Sequence, residues 1–275
     1  MDARERFVEA VNAPDDDVPL DVAALCIAAH AHRGLDVDEW AHRIDSIASR
    51  CESATFDGVR ERLFGDEGFH GDFDNYADPE NSFLDSVIER RRGIPISLSV
   101  LMIAVGRRLG VDVRGVGMPG HFIVLDAARG DVWCDPFHGG ALLDAEGCRR
   151  RFDMVYGGTL KFQRAFLDPT PPAAIVARML ANLERGELAN DPVQRAWMCE
   201  LHLSIPGISF QEQWELADQL ARTGDMMRAA SEYDLLADRI EEGRVETTTA
   251  EGPGDTDDAA SRLRARARAL RARLN

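Results

Sequence analysis

The chain has 275 residues and a formal net charge of −16, with 45% hydrophobic and 29% charged residues. That length and balance suit a soluble chain forming one large or two modest domains, each able to bury a core. The excess of carboxylates argues against a nucleic-acid binder and against docking on anionic membranes, because phosphates and acidic headgroups would be repelled.

The opening residues, MDARERFVEAVNAPDDDVPL, lack a basic stretch followed by an apolar core, so no secretory leader is read there. No apolar run approaches the ~18 residues of a membrane span. Cys26, Cys51, Cys134, Cys148 and Cys199 are scattered, with no C-x-x-C spacing. That usage fits a reducing compartment, without structural disulfides or zinc. A cytoplasmic location is the expectation.

In chain order, the first seventy residues read as helical. Residues 22–32 (VAALCIAAHAH) are Ala-rich, and in residues 37–49 Trp40, Ile44 and Ile47 recur on one helical face. Residues 65–79 (GDEGFHGDFDNYADP) show no period and read as a long loop, of the kind that is often functional or covers a groove. A helix is expected from Asp78–Pro79, with Asp as cap and Pro in the first turn, turning Phe83, Leu84 and Val87 inward and ending at Gly93. Pro95 opens the next helix, PISLSVLMIAVGRRLG, which is apolar around most of its circumference and therefore buried. Gly110 stops it. Three strands follow: VDVRGVGM, HFIVLDA and DVWCDP.

From about Pro171 four helical segments run to Ile240, with a Gly turn in LARTGDMMRAA that suggests tetratricopeptide-type hairpins. Residues 242–260 read as a disordered linker. An Arg-rich helix closes the chain, with Leu263, Leu270 and Leu274 in a stripe. It is expected to dock on the chain's own carboxylates or a partner's rather than on nucleic acid.

The chemistry centres on His121 and Asp135. A reverse turn at residues 127–130 lies about midway between them, so a hairpin sets them opposite each other or one pair out of register. The carboxylate would then hold the imidazole by its Nδ1–H, as hydrolases and acyl-transferases orient a catalytic base. Strand alternation puts Trp133 on the face of Asp135 and turns Cys134 away. A nucleophile should stand at the tip of the buried helix, where the dipole lowers a thiol's pKa. The residues there are Gly93, Ile94, Pro95, Ile96 and Ser97, and none is Cys. Ser97 and Ser99 read as helix-start hydrogen-bonding residues, and Cys134 as an inert buried thiol. A metal reading would gather His121, Cys134, Asp135 and His138, but no ligand spacing supports it. No metal and no cofactor are expected, and His138 reads as a turn residue.

The block from LFGDEGFHGDFDNYADPENSFLDSVIERRRGIPISLSVLMIAVGRRLG through GHFIVLD and CDPFHGGALL resembles the SirB-type branch of the transglutaminase-like superfamily. The helical start and tetratricopeptide-like end match that family's layout. The resemblance implies an α+β fold: a transglutaminase/papain-like core of one buried helix on an antiparallel sheet, with helical N- and C-terminal regions. It implies that His121 and Asp135 match the superfamily's histidine and aspartate. Pro95 stands where enzymes of the superfamily carry cysteine.

The domain expectation is a transglutaminase-like domain over 1–168, a helical region over 169–241, a linker over 242–260 and the terminal helix over 261–275. His121 and Asp135 are the catalytic or vestigial pair, and Asn81, Ser97, Ser99 and Trp133 the binding candidates. The functional expectation is a non-catalytic interaction or regulatory scaffold that meets a protein or peptide partner through the helical C-terminal region. The alternative is a cysteine-independent hydrolase or acyl-transferase acting on amide bonds.

Overall fold

Capping chemistry sets where most helices begin. The computed structural model describes residues 1–14, 17–242, 248–249, 252–253 and 256–273. The chain divides into two compact units, Met1–Glu187 and Leu188–Asn275.

The first unit starts with α1 (Ala3–Val11), whose Asp2 and Glu5 form a capping box. It continues with α2 (Leu20–Ala31), α3 (Val37–Ser49) and the short α4 (Phe56–Arg60), which runs into one π-type turn at Glu61–Asp66. Ile44 and Ile47 of α3 are buried as its periodicity requires. The long loop is not featureless. Its strand β1 (His70–Gly71) pairs in parallel with β2 (Arg92–Gly93), which lies beyond α5 (Leu84–Arg90).

The helix expected over residues 78–93 is broken in two. Asp78 caps only a 3-10 turn, Pro79–Asn81, and α5 begins after Phe83. It ends at Arg91, which takes a left-handed conformation with φ 57°, so Gly93 is left for the strand. The inward residues are as expected, with Phe83, Leu84 and Val87 buried.

Pro95 opens α6 (Pro95–Arg108), buried along nearly its whole length. An antiparallel sheet follows in sequential order: β3 (Val113–Val116), β4 (Ile123–Asp126), β5 (Trp133–Asp135) and β6 (Ala141–Leu143). The last strand and α7 (Ala145–Tyr156) carry no expectation from the sequence. The turn between β4 and β5 falls where the sequence placed it. Asp126 accepts from the backbone of Ala128 and Arg129, and Gly130 takes φ 74°. One sheet face builds an apolar cluster of Val116, Ile123, Leu125, Trp133, Cys148 and Phe152.

The last helix of this unit, α8 (Pro172–Arg185), packs on α2 and α6. The expected boundary at 168/169 is therefore displaced to Glu187/Leu188. The periodicity of α8 resembles that of the later helices, but Ile175, Val176, Met179 and Leu180 bury their stripe in the first unit's core.

The second unit comprises α9 (Pro192–Leu203), α10 (Phe210–Thr223), α11 (Met226–Glu241) and α12 (Thr256–Ala272), with a two-residue pairing of β7 (Thr248–Thr249) and β8 (Gly252–Pro253) before the last helix. Gly224, at φ 96°, lets α11 fold back on α10. Tyr233, Leu236, Leu220 and Ala217 form the core together with Ala267 and Leu270 of α12. The Arg-rich helix docks on the chain's own acids: Arg264 on Asp238 and Glu241, Arg271 on Asp234, and Arg266 on Asp218. Of the expected linker, residues 243–247, 250–251 and 254–255 lie outside the described residues, as does Leu274; the terminal helix begins at Thr256, five residues before the expected 261, so the end of the expected linker is helical. Among those described, no helix is long and apolar enough to cross a membrane.

Candidate functional site

A tight turn presents His121. Met118–Pro119–Gly120–His121 closes with the His121 N–H donating to the Met118 carbonyl at 3.0 Å, with Gly120 at φ 72°. Pro then Gly at the two central positions is the signature of a type II turn. His121 thus precedes β4 rather than lying within it. The β4–β5 register pairs Val124 with Cys134 and Leu125 with Trp133, which sets Asp135 opposite Ile123 and leaves His121 two residues before that rung, further out of register than expected.

Asp135 ends β5 and caps the 3-10 turn Pro136–His138, its Oδ1 accepting the His138 backbone N–H at 3.2 Å. Three nitrogens converge on its other oxygen. His121 Nε2 lies 3.0 Å from Oδ2, His138 Nδ1 2.8 Å and Arg151 Nε 3.3 Å. His121 therefore faces the carboxylate with Nε2, not with the expected Nδ1. Its contact lies off the line that a straight hydrogen bond requires, and Nε2 is buried with no aligned acceptor.

Asp135 is 0% exposed. Burial by itself would raise the carboxyl's pKa, but His121 foremost, with His138 and Arg151, outweighs it and holds the group below the usual carboxylate range. Burial pushes the His138 imidazole below its ordinary value despite the neighbouring carboxylate.

The helix tip carries no attacking atom. Pro95 is the first residue of α6, with Ile94 as its cap. Ser97 Oγ accepts the Ile94 N–H at 3.1 Å and donates to the Asn81 carbonyl at 2.6 Å. Ser99 Oγ donates to the Pro95 carbonyl at 2.7 Å. Among the described residues no hydroxyl or thiol hydrogen-bonds the His121 ring. Cys134 is buried with its pKa driven up, chiefly by desolvation, and alternation turns it from Asp135.

The four residues read as binding candidates are buried and offer no surface to a ligand. Asn81 ties down residue 75 through its Nδ2, Ser97 and Ser99 bond the backbone, and Trp133 belongs to the apolar cluster, with the Arg164 guanidinium 5.4 Å from its ring centroid. Each of the four side chains is engaged by the frame itself.

The residues that face outward were not singled out from sequence. Phe73 (62% exposed) and Tyr76 (55%) rise from the long loop. Phe73 meets the rings of Phe137 at 4.6 Å and His138 at 5.5 Å, and Tyr76 meets Phe137 at 5.7 Å. The His121 and His138 rings are 5.7 Å apart. Gly71 makes this approach possible: a Cβ there would lie 2.4 Å from Phe137 Cδ2 and 2.5 Å from its carbonyl oxygen. Behind the site, the Arg178 guanidinium holds the His121 carbonyl at 2.9 Å and that of Met118 at 3.3 Å.

His138 is thus a member of the site and not only a turn residue. The spacing D-P-F-H carried the signal, because residues three apart eclipse in a 3-10 turn. Phe73, Tyr76, Arg151 and Arg178 come from distant segments, and no local pattern marks them. Of the four residues in the disfavoured metal grouping, His121, Asp135 and His138 place ligand-type atoms within 4.8 Å of one another, while Cys134 stands apart.

A buried helix opened at Pro95, set on an antiparallel sheet that brings His121 to Asp135, is the layout that the sequence resemblance implied. A family model described as transglutaminase-like superfamily matches residues 31–181, more than half of the chain. The chain belongs to the transglutaminase-like superfamily. A UPF0162 protein of Xylella fastidiosa is 38% identical over 198 residues, covering 67% of this chain and 70% of that protein. One from Pseudomonas aeruginosa is 33% identical over 196 residues, with the same coverages. F-box only protein 21 of Homo sapiens is 32% identical over 105 residues, covering 38% of this chain and 14% of its own length. No solved structure matches the chain. In this SirB-type member of the superfamily, His121 and Asp135 are brought together, and α6 opens on Pro95 with no thiol at its first turn.

Proposed function

We propose that this superfamily member is a non-catalytic protein-interaction module whose transglutaminase-like frame serves recognition. The observation that carries the reading is the helix tip. Pro95 opens α6, where the family resemblance would set a nucleophile, and the nearby Ser97 and Ser99 hydroxyls are spent on backbone carbonyls. A base without an attacking atom cannot run acyl transfer by a covalent route. The exposed Phe73 and Tyr76 beside Phe137 supply the aromatic surface that peptide partners favour. The second unit adds exposed Trp214, Met227 and Leu235 as a helical surface for a protein partner.

The alternative, a hydrolase of amide bonds using water, draws on the retained His121–Asp135 pair. The two readings separate in one experiment. The full chain is screened with amide substrates and with thiol- and serine-reactive probes, beside His121→Gln. The expected outcome is no turnover and no labelling that depends on His121. In parallel, a photo-crosslinking residue at Phe73 is expected to capture a peptide or protein from a defined library. Turnover abolished by His121→Gln would replace the scaffold reading with the enzymatic one.

A further inference from the structure

We propose that His121, Asp135 and His138 form a binding site for a divalent transition-metal ion of the zinc class. The inference goes beyond the interaction role and does not rest on it, because it concerns binding rather than turnover.

Three observations converge. First, His121 Nε2 and His138 Nδ1 approach the same oxygen, Asp135 Oδ2, at 3.0 and 2.8 Å, and the three atoms lie within 4.8 Å of one another. Bonds of about 2.0–2.1 Å in a tetrahedral site put neighbouring ligand atoms roughly 3.4 Å apart. Each nitrogen stands about half an ångström closer to Oδ2 than that spacing, and the two rings, whose ligand atoms lie within 4.8 Å, close toward each other to complete it.

Second, the carboxylate is already oriented. Oδ1 is held by the His138 backbone N–H, so Oδ2 is left as the ligand atom. Third, the His121 side chain is only 10% exposed, and its buried Nε2 has no aligned acceptor. Buried polar atoms nearly always find a partner. A cation between Nε2 and Oδ2 satisfies both.

The donor set chooses the ion. Two imidazoles and one carboxylate suit Zn2+, Co2+ or Ni2+, whereas Mg2+ and Ca2+ take oxygen ligands. Arg151, whose Nε is 3.3 Å from Oδ2, competes for the same oxygen. Its side chain is 24% exposed and can withdraw to solvent, and the 31% exposure of His138 supplies a path of entry.

The test uses the full chain, stripped with a chelator and titrated with Co2+ and then Zn2+. Calorimetry reads the stoichiometry, and the visible bands of Co2+ read the coordination geometry. The expected result is one ion per chain, with the bands of tetrahedral Co2+ lost when Zn2+ displaces it. His138→Gln, at a partly exposed position that tolerates change, weakens binding by at least ~100-fold, as does His121→Gln. Arg151→Gln tightens binding by removing the competing cation. His42→Gln, on the exposed part of α3, leaves it unchanged. Binding that survives both His121→Gln and His138→Gln overturns the proposal. So does a wild-type chain with no saturable binding.

Discussion

Two serines on one helix, two residues apart and both fully buried, should respond unequally to the same substitution. In Ser97→Ala the hydroxyl bridging Ile94 N–H and the Asn81 carbonyl is lost. Losing a side-chain bond at a helix N-terminus of this kind costs about 1 kcal/mol, within a range of roughly 0.5–2. The partners are not orphaned, because the Ile94 N–H also reaches the Asn81 carbonyl at 3.2 Å. The full penalty for two unsatisfied buried groups is therefore avoided, and the expected loss is about 1–2 kcal/mol.

Ser99 is different. Its hydroxyl only back-bonds the Pro95 carbonyl, one turn earlier in the same helix. Such bonds slightly destabilise helices, and alanine is the better helix former by a few tenths of a kcal/mol, so Ser99→Ala is expected within ~0.5 kcal/mol of wild type. Urea unfolding of the full chain, followed by far-UV circular dichroism, measures both as shifts in midpoint at unchanged slope. A Ser99→Ala loss as large as that of Ser97→Ala would refute the role of Ser97 in bonding back to the Ile94 cap and tying the helix start to Asn81. A serine-reactive probe that labels Ser97 would refute it independently.

Two further outcomes follow from the geometry. His32 places Nδ1 2.7 Å from Asp85 and Nε2 3.4 Å from Glu80. Burial alone would lower its pKa, but these carboxylates outweigh it and the value is raised. Its contribution to stability is then fully present below the unfolded value of about 6.5 and is lost as pH rises through the raised folded value. The stability difference between wild type and His32→Gln should be largest in mild acid and vanish in alkali, and a difference independent of pH would contradict the pairing. Gly71→Ala drives a Cβ into both the ring and the carbonyl of Phe137. The expected loss is about 1–3 kcal/mol, with a changed near-UV spectrum as the aromatic rim shifts, and wild-type stability would show that this packing is looser than described.

The legible parts of the fold were those written in short stretches. Pro95 marks the start of α6 because its ring pre-sets φ and its missing N–H is needed by no turn of the helix. The β4–β5 turn is marked by Asp126 and Gly130. The helix expected over residues 78–93 does not form as one piece because the cap and the proline at its start are genuine, yet they serve a single 3-10 turn. Pairing of His70–Gly71 with Arg92–Gly93 pulls the chain out of helix before Gly93. That is a tertiary demand with no local signature.

What the sequence determined by itself is that no cysteine opens the buried helix and that a histidine and an aspartate flank one turn, since residue identity and strand period are local properties. What only the tertiary structure decided is the site's membership and orientation. It turns Nε2 of His121 to the carboxylate, adds His138 and Arg151 around one oxygen, and lays Phe73 and Tyr76 alongside. It also assigns α8 to the first unit. Those outcomes depend on which segments far apart in the chain bury one another's apolar surface, and hydrophobic period specifies that a face is buried without naming what buries it.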